Sequence, residues 1–126
     1  MAKILIIEDS ITVRVFLKNI LIPIGHEVIE AVSGEDALDK LNDSTNFDII
    51  LCDINMPDMD GITFVKHQRD HKIYCNIPTI MVTTESDPKL ANEAKKIGVI
   101  KAWITKPVKP EVLIKFIDRL TKNKEK

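Results

Sequence analysis

The chain has 126 residues, 44% of them apolar and 29% charged, with a formal net charge of −1; this describes one globular domain able to bury about two-thirds of its unfolded surface, and excludes a disordered segment. No apolar run approaches the ~20 residues that span a bilayer, and the run after Met1-Ala2-Lys3 is too short for a secretory core. The balanced charge offers nucleic acid no footprint, so the cytoplasm is the expected location, with neither membrane nor nucleic acid as a partner.

In chain order, Ile4-Leu5-Ile6-Ile7 is predicted as a first strand that runs into Glu8 and Asp9. Ser10 can cap a first helix in which Val13, Phe16, Leu17, Ile20, Leu21 and Ile24 recur at helical spacing, with Gly25 closing it. A weaker run, Val28-Ile29-Glu30-Ala31, suits a second strand, and Ser33-Gly34 opens a second helix carrying Ala37, Leu38 and Leu41. Ile49-Ile50-Leu51-Cys52 is the third strand, ending at Asp53. The third helix, from about Gly61 to His71, is the least amphipathic, because Gln68 and Arg69 stand where apolar residues are expected. Ile80-Met81-Val82 is the fourth strand and leads to Thr83 and Thr84; Asp87-Pro88 then caps a fourth helix that Gly98 ends. The fifth strand, Ile100 to Ile104, alternates, with Ile100, Ala102 and Ile104 on one side and Lys101, Trp103 and Thr105 on the other. Lys106-Pro107 follows, and Pro110 opens a fifth helix. The domain is placed at residues 1–120, and residues 121–126 read as a Lys-rich solvated tail. Cys52 and Cys75 lack metal-type spacing and are expected to be reduced, incidental thiols.

The first, third and fourth runs are apolar throughout, as in strands covered on both faces, so they are expected at the centre of a parallel sheet. Five strand–helix repeats with short connections give an α/β domain: a doubly wound five-stranded parallel sheet with five helices, the second and fifth strands at its edges. The order 2-1-3-4-5, called flavodoxin-like, is taken from precedent for such domains.

All strands of such a sheet end at one edge. There the sequence delivers Glu8 and Asp9, Asp53, Thr83 and Lys106. Carboxylates ~5 Å apart at an effective dielectric of ~20 repel by roughly 3 kcal/mol per pair, so the cluster calls for a hard divalent cation. Mg²⁺ takes one or two carboxylates and keeps water, which points to Asp9 and Asp53 as direct ligands, the carbonyl of Asn55 as a third, and Glu8 acting through water. Metal, ammonium and hydroxyl around a carboxylate suit phosphoryl acceptance, with Asp53 the nucleophile and Thr83 and Lys106 pairing with phosphoryl oxygens. Taken singly, Asp9-Ser10 is a helix cap and Lys106-Pro107 a turn; it is their convergence from four of five strands that indicates a site.

The segments Ile6-Ile7-Glu8-Asp9-Ser10, Cys52-Asp53 through Gly61, Met81-Val82-Thr83-Thr84 and Thr105-Lys106-Pro107 resemble the signatures of response-regulator receivers, over about Lys3 to Leu120. The resemblance implies an acidic pair at Glu8 and Asp9, phosphorylation at Asp53 dependent on Mg²⁺ (or Mn²⁺), a switch hydroxyl at Thr83, a phosphate-pairing Lys106, a cis Lys106-Pro107 bond, and Gly61 in the turn to the third helix. It implies a phosphoacceptor switch that loses its own phosphoryl group and is no turnover enzyme. Standing alone, and with Thr83-Thr84-Glu85-Ser86 and Trp103-Ile104-Thr105-Lys106-Pro107, the domain further resembles the chemotaxis (CheY-type) branch. There Asn55 and Glu85 would modulate dephosphorylation and Trp103, where many relatives have Tyr or Phe, would be the movable aromatic. The partners implied are a histidine kinase of the CheA type, a flagellar motor-switch or other output protein, and a phosphatase; a monomer is expected.

Other readings remain open on sequence. A flavin-binding protein of the same architecture would need a phosphate-cradling loop where Glu8-Asp9 stands. An aspartyl-phosphate phosphatase would want a second acid where Asn55 stands. A receiver in a non-chemotactic relay is the third alternative, which the sequence does not exclude.

Overall fold

A computed structural model describes residues 1–43 and 46–122. The sheet is five-stranded and wholly parallel in the order β2-β1-β3-β4-β5, with β1 at Lys3–Ile7, β2 at Glu27–Ala31, β3 at Ile49–Cys52, β4 at Thr79–Thr83 and β5 at Ile100–Thr105. Helices α1 (Ile11–Leu21), α2 (Gly34–Asp43), α3 (Gly61–Arg69), α4 (Pro88–Lys95) and α5 (Pro110–Lys122) connect and follow the strands. Because side chains alternate across each strand, β1 sends Ile4 and Ile6 to one face and Leu5 and Ile7 to the other. The first face packs with Leu17 and Leu21 of α1 and Leu113 and Ile117 of α5; the second packs with Ala37 and Leu41 of α2, Phe64 and Val65 of α3 and Ala94 of α4. Burial on both faces explains the unbroken apolar runs Ile4–Ile7 in β1, Ile49–Cys52 in β3 and Ile80–Val82 in β4. Among the described residues no helix is long and apolar enough to cross a membrane.

Helix starts follow the expected caps. Ser10 Oγ accepts from Val13 N and Asp87 Oδ1 from Lys89 N, while Ser33 Oγ accepts from Asp36 N. Several ends and faces differ from expectation. α1 gives way at Ile22 to a 3₁₀ turn through Pro23, closed by Gly25 at φ +100°, and this rotation leaves Ile24 about half exposed instead of in the core; Phe16, within α1, is also about half exposed. α3 stops at Arg69, short of His71, and Gln68 is fully buried. Its Nε2 donates to Tyr74 O and Ile77 O and its Oε1 accepts from Thr79 Oγ1, so a polar side chain at a core position ties the loop after α3 to β4. α4 ends at Lys95, and Gly98, whose φ is not positive, is no cap to it. α5 continues through Lys122, past the boundary set at residue 120; Thr121 is buried, and the tail residues 123–126 lie outside the described residues.

The simple alternation expected of β5 is also broken. Thr79 pairs with Ile100 but Ile80 with Ala102, so Lys101 is the extra residue of a bulge. Ile100 thereby joins Trp103 on the α4 side, while Ala102 and Ile104 face α1 and α5.

Candidate functional site: an acidic crevice at the strand C-termini

β1 ends at Ile7, and Glu8 still pairs through its N–H with Ala31 O at 3.0 Å before the chain turns into α1. This delivers Glu8, buried, and Asp9, exposed, to the sheet edge. β3 delivers Asp53, only 6% exposed, whose N–H donates to Ile7 O. Carboxylate oxygens of Glu8, Asp9 and Asp53 lie within 4.8 Å of one another. From β5, Lys106 reaches in: its Nζ is 2.6 Å from Glu8 Oε1 and 3.2 Å from Asp53 Oδ2. The Lys106-Pro107 bond is cis, as expected.

Asp53 Oδ1 accepts from Ile54 N at 2.7 Å and, more weakly, from Asn55 N at 3.4 Å, which fixes the carboxylate plane. Gly61 is required by packing rather than by turn geometry. A Cβ there would overlap the Asp53 carbonyl oxygen and stand 2.8 Å from Ile54 Cα, so α3 can begin against the Asp53 loop only with no side chain. Gly61 N donates to Ile54 O at 2.9 Å, and Asp60 Oδ1 caps α3 by accepting from Thr63 N at 2.8 Å.

Thr83, wholly buried at the end of β4, accepts at Oγ1 from Glu85 N at 3.1 Å; Glu85 is half-buried beside it and Asn55 is exposed. Trp103 is half-buried against the α4-side core and pairs in register with Met81, two residues before Thr83. Glu8, Asp9, Asp53 and Lys106 thus come together at the sheet edge; Thr83 stands at the same edge, its carbonyl accepting from Lys106 N at 2.8 Å, with Trp103 lower on the same face. Sequence reasoning missed Arg14, which is buried on the inward face of α1 and donates from Nη1 to Glu8 O at 2.6 Å. Its spacing of three and seven from Leu17 and Leu21 was the available signal.

Burial pushes the Glu8 carboxyl above the ordinary glutamate range, against the Lys106 hydrogen bond that pulls it down. Burial would depress Lys106, but the bond to Glu8 and the charges of Glu8 and Asp53 outweigh it and hold the ammonium up. Burial also raises the Cys52 thiol well above its usual value, so this free cysteine next to Asp53 is inert. The donor set consists of hard oxygens, with both Glu8 oxygens already engaged, by Lys106 and by Ser10 N at 3.1 Å. Asp9 is the exposed carboxylate of the three, and Asp53, held at Oδ1 by Ile54 N, would join it around a small hard cation such as Mg²⁺ by giving up the 3.2 Å Lys106 contact at Oδ2.

The family model described as the response regulator receiver domain matches residues 4–118. Among similar proteins, a chemotaxis protein CheY homolog of Campylobacter jejuni is 41% identical over 112 residues, covering 88% of this chain and 85% of that one. Chemotaxis protein CheY1 of Helicobacter pylori is 39% identical, covering 88% and 90% respectively. Among solved structures, the chemotaxis response regulator CheY4 of Vibrio cholerae superposes with a TM-score of 0.87 at 40% identity, covering 95% of this chain and 98% of that one. With its parallel sheet in the 2-1-3-4-5 order and this carboxylate–lysine edge, the chain belongs to the response-regulator receiver family.

Proposed function

We propose that the protein is a Mg²⁺-dependent phosphoacceptor of a two-component chemotaxis system, phosphorylated on Asp53 by a histidine kinase of the CheA type. The observation that carries this is the setting of Asp53: a buried carboxylate held by backbone N–H groups, bridged to Glu8 by Lys106 and flanked by the exposed Asp9. The likeness to CheY relatives over most of both chains supports the chemotactic assignment. A carboxylate oxygen of Asp53 attacks the donor phosphorus in line; the new O–P bond forms as the P–N bond of a phosphohistidine breaks, and the imidazole leaves with the bonding pair. Asp9, Asp53 and the Asn55 carbonyl would hold the cation, with Glu8 acting through water. When bound, the ion offsets charge on the transferring group. Lys106 would exchange its Asp53 contact for a phosphoryl oxygen, and Thr83 would donate to another.

The acceptor Asp53 belongs to the protein itself, which is changed by the reaction and restored by losing the phosphoryl group, so this reading is of a switch and not a turnover enzyme. Asn55, whose N–H points at Asp53 Oδ1, and Glu85, whose N–H donates to Thr83 Oγ1, are assigned to set the lifetime of the phosphorylated form. The output partner is assigned as a flagellar motor-switch segment, and the working compartment as the cytoplasm. The test is mass spectrometry after reaction with acetyl phosphate. A single added phosphoryl group on Asp53, absent with excess chelator and absent in Asp53→Asn, is expected. Undiminished labelling under either condition would refute the assignment.

A further inference from the structure

We propose that Arg14 is a positioning residue for the cation site, gripping the carbonyl of Glu8 and thereby fixing where Asp9 presents its carboxylate. This rests on the metal-dependent reading above. Arg14 is 9% exposed, on the α1 face that also buries Leu17 and Leu21. A guanidinium there is unfavourable unless charge and hydrogen bonds compensate it. Glu30 on β2 does so: Oε1 accepts from Arg14 Nε at 3.2 Å, and Oε2 accepts from Lys18 Nζ at 3.1 Å. The other side of the planar fork donates from Nη1 to Glu8 O at 2.6 Å.

The place of that carbonyl gives the bond its consequence. Glu8 N is the last rung of the ladder towards Ala31 O, so Glu8 O lies just beyond regular sheet pairing and takes a side-chain donor. The Glu8 carbonyl and the Asp9 Cα belong to one rigid peptide plane. Holding one end of the plane constrains the other. Asp9 is exposed, so the backbone position that this peptide sets determines where its carboxylate can reach. A rigid fork anchored on Glu30 sets that direction more tightly than a flexible ammonium could. Groups that orient metal ligands from behind typically change affinity without touching the ion.

Mn²⁺ alone, followed by electron paramagnetic resonance, is the probe, with metal-free thermal melts in parallel. Arg14→Gln is expected to bind Mn²⁺ about tenfold more weakly than the wild type. Arg14→Lys should regain only part of the loss, because it restores charge without the fork. Lys18→Gln, which removes an ion pair to Glu30 but leaves the Arg14 bond, should bind as the wild type does. A purely structural tie between α1 and β2 predicts a lower melting temperature for Arg14→Gln with unchanged affinity, and that result would overturn the proposal. Should Arg14→Gln fail to melt cooperatively, Glu30→Gln decides: it frees the fork without removing it, a smaller loss of affinity is expected, and none would again overturn it. Absence of Mn²⁺ binding in the wild type would instead remove the cation site itself.

Discussion

Lys106 and Glu8, 98 positions apart in sequence, are joined by an ion pair of 2.6 Å, shorter than the 3.2 Å contact of the same ammonium with Asp53. Without a cation, the lysine serves as the counter-charge of the acidic crevice. Lys106→Met is therefore expected to destabilise the metal-free protein by about 1–3 kcal/mol, since it leaves buried carboxylates without their partner. Mg²⁺ should recover part of the loss. Chemical denaturation with and without Mg²⁺ measures both; equal losses in the two conditions would contradict the counter-charge role.

The raised Glu8 carboxyl predicts a pH dependence whose sign is fixed by linkage. The folded chain takes up this proton at higher pH than the unfolded chain. Glu8 thus favours the fold fully below its unfolded value, and that contribution is lost as pH rises through the raised folded value. Lys106, also raised, loses its contribution only in the alkaline range and does not intrude. In metal-free protein, the stability gap between Glu8→Gln and the wild type should narrow as pH falls from neutrality to roughly 5. Melts across that interval check it, and a widening gap would sink the idea.

Asp9→Asn should weaken Mg²⁺ binding and yet stabilise the metal-free fold, because it removes one of three clustered carboxylates. Asp9 is exposed and its repulsion is screened, so the gain is expected to stay under about 1 kcal/mol. A lower melting temperature for the metal-free variant would argue against net repulsion.

Gly61→Ala tests the close approach of α3 to the phosphoacceptor loop. The new methyl group would overlap the Asp53 carbonyl and crowd Asp53 C and Ile54 Cα, each at 2.8 Å, all of it backbone with little room to yield. A loss of about 1–3 kcal/mol is expected, together with slower labelling of Asp53 by acetyl phosphate. Wild-type stability would show that the loop gives way.

These features differ in how far the sequence exposes them. Continuous apolar runs at Ile4–Ile7 and Ile49–Cys52 mark central strands because both faces are buried, and acids at their ends are legible because a parallel sheet brings every strand end to one edge. Gln68 misleads because hydropathy registers polarity but not partners: its amide is satisfied by Tyr74, Ile77 and Thr79, contacts that exist only once the loop has folded. The bulge at Lys101 is invisible for a similar reason, since register is a property of the β4–β5 pair and not of β5 alone. Arg14 is hidden because a charged residue in a helix normally signals a solvated face.

Trp103 is where strand register bears on the proposed switch. It pairs with Met81, and Thr83 pairs with Thr105, so hydroxyl and indole lie on one face of adjacent strands, one pleat apart. Trp103 is in the lining of two grooves, one shared with Lys95, Ile100, Lys101 and Ala102, the other with Thr105, Pro107, Lys109 and Val112. To pair with a phosphoryl oxygen, Thr83 must redirect a hydroxyl that accepts from Glu85 N at 3.1 Å, so the drive is the difference between a charge-assisted bond of about 1.5–3 kcal/mol and the bond perturbed. That suffices to shift a balanced pair of states and not a strongly biased one. Adding beryllofluoride with Mg²⁺ is expected to change Trp103 emission and its access to quencher, with a smaller change in Thr83→Ala. The protein's single tryptophan makes the signal unambiguous. Unchanged emission in wild-type protein that demonstrably binds beryllofluoride would make Trp103 a packing residue against the α4-side core, and would place the link between Asp53 and the output face in another side chain.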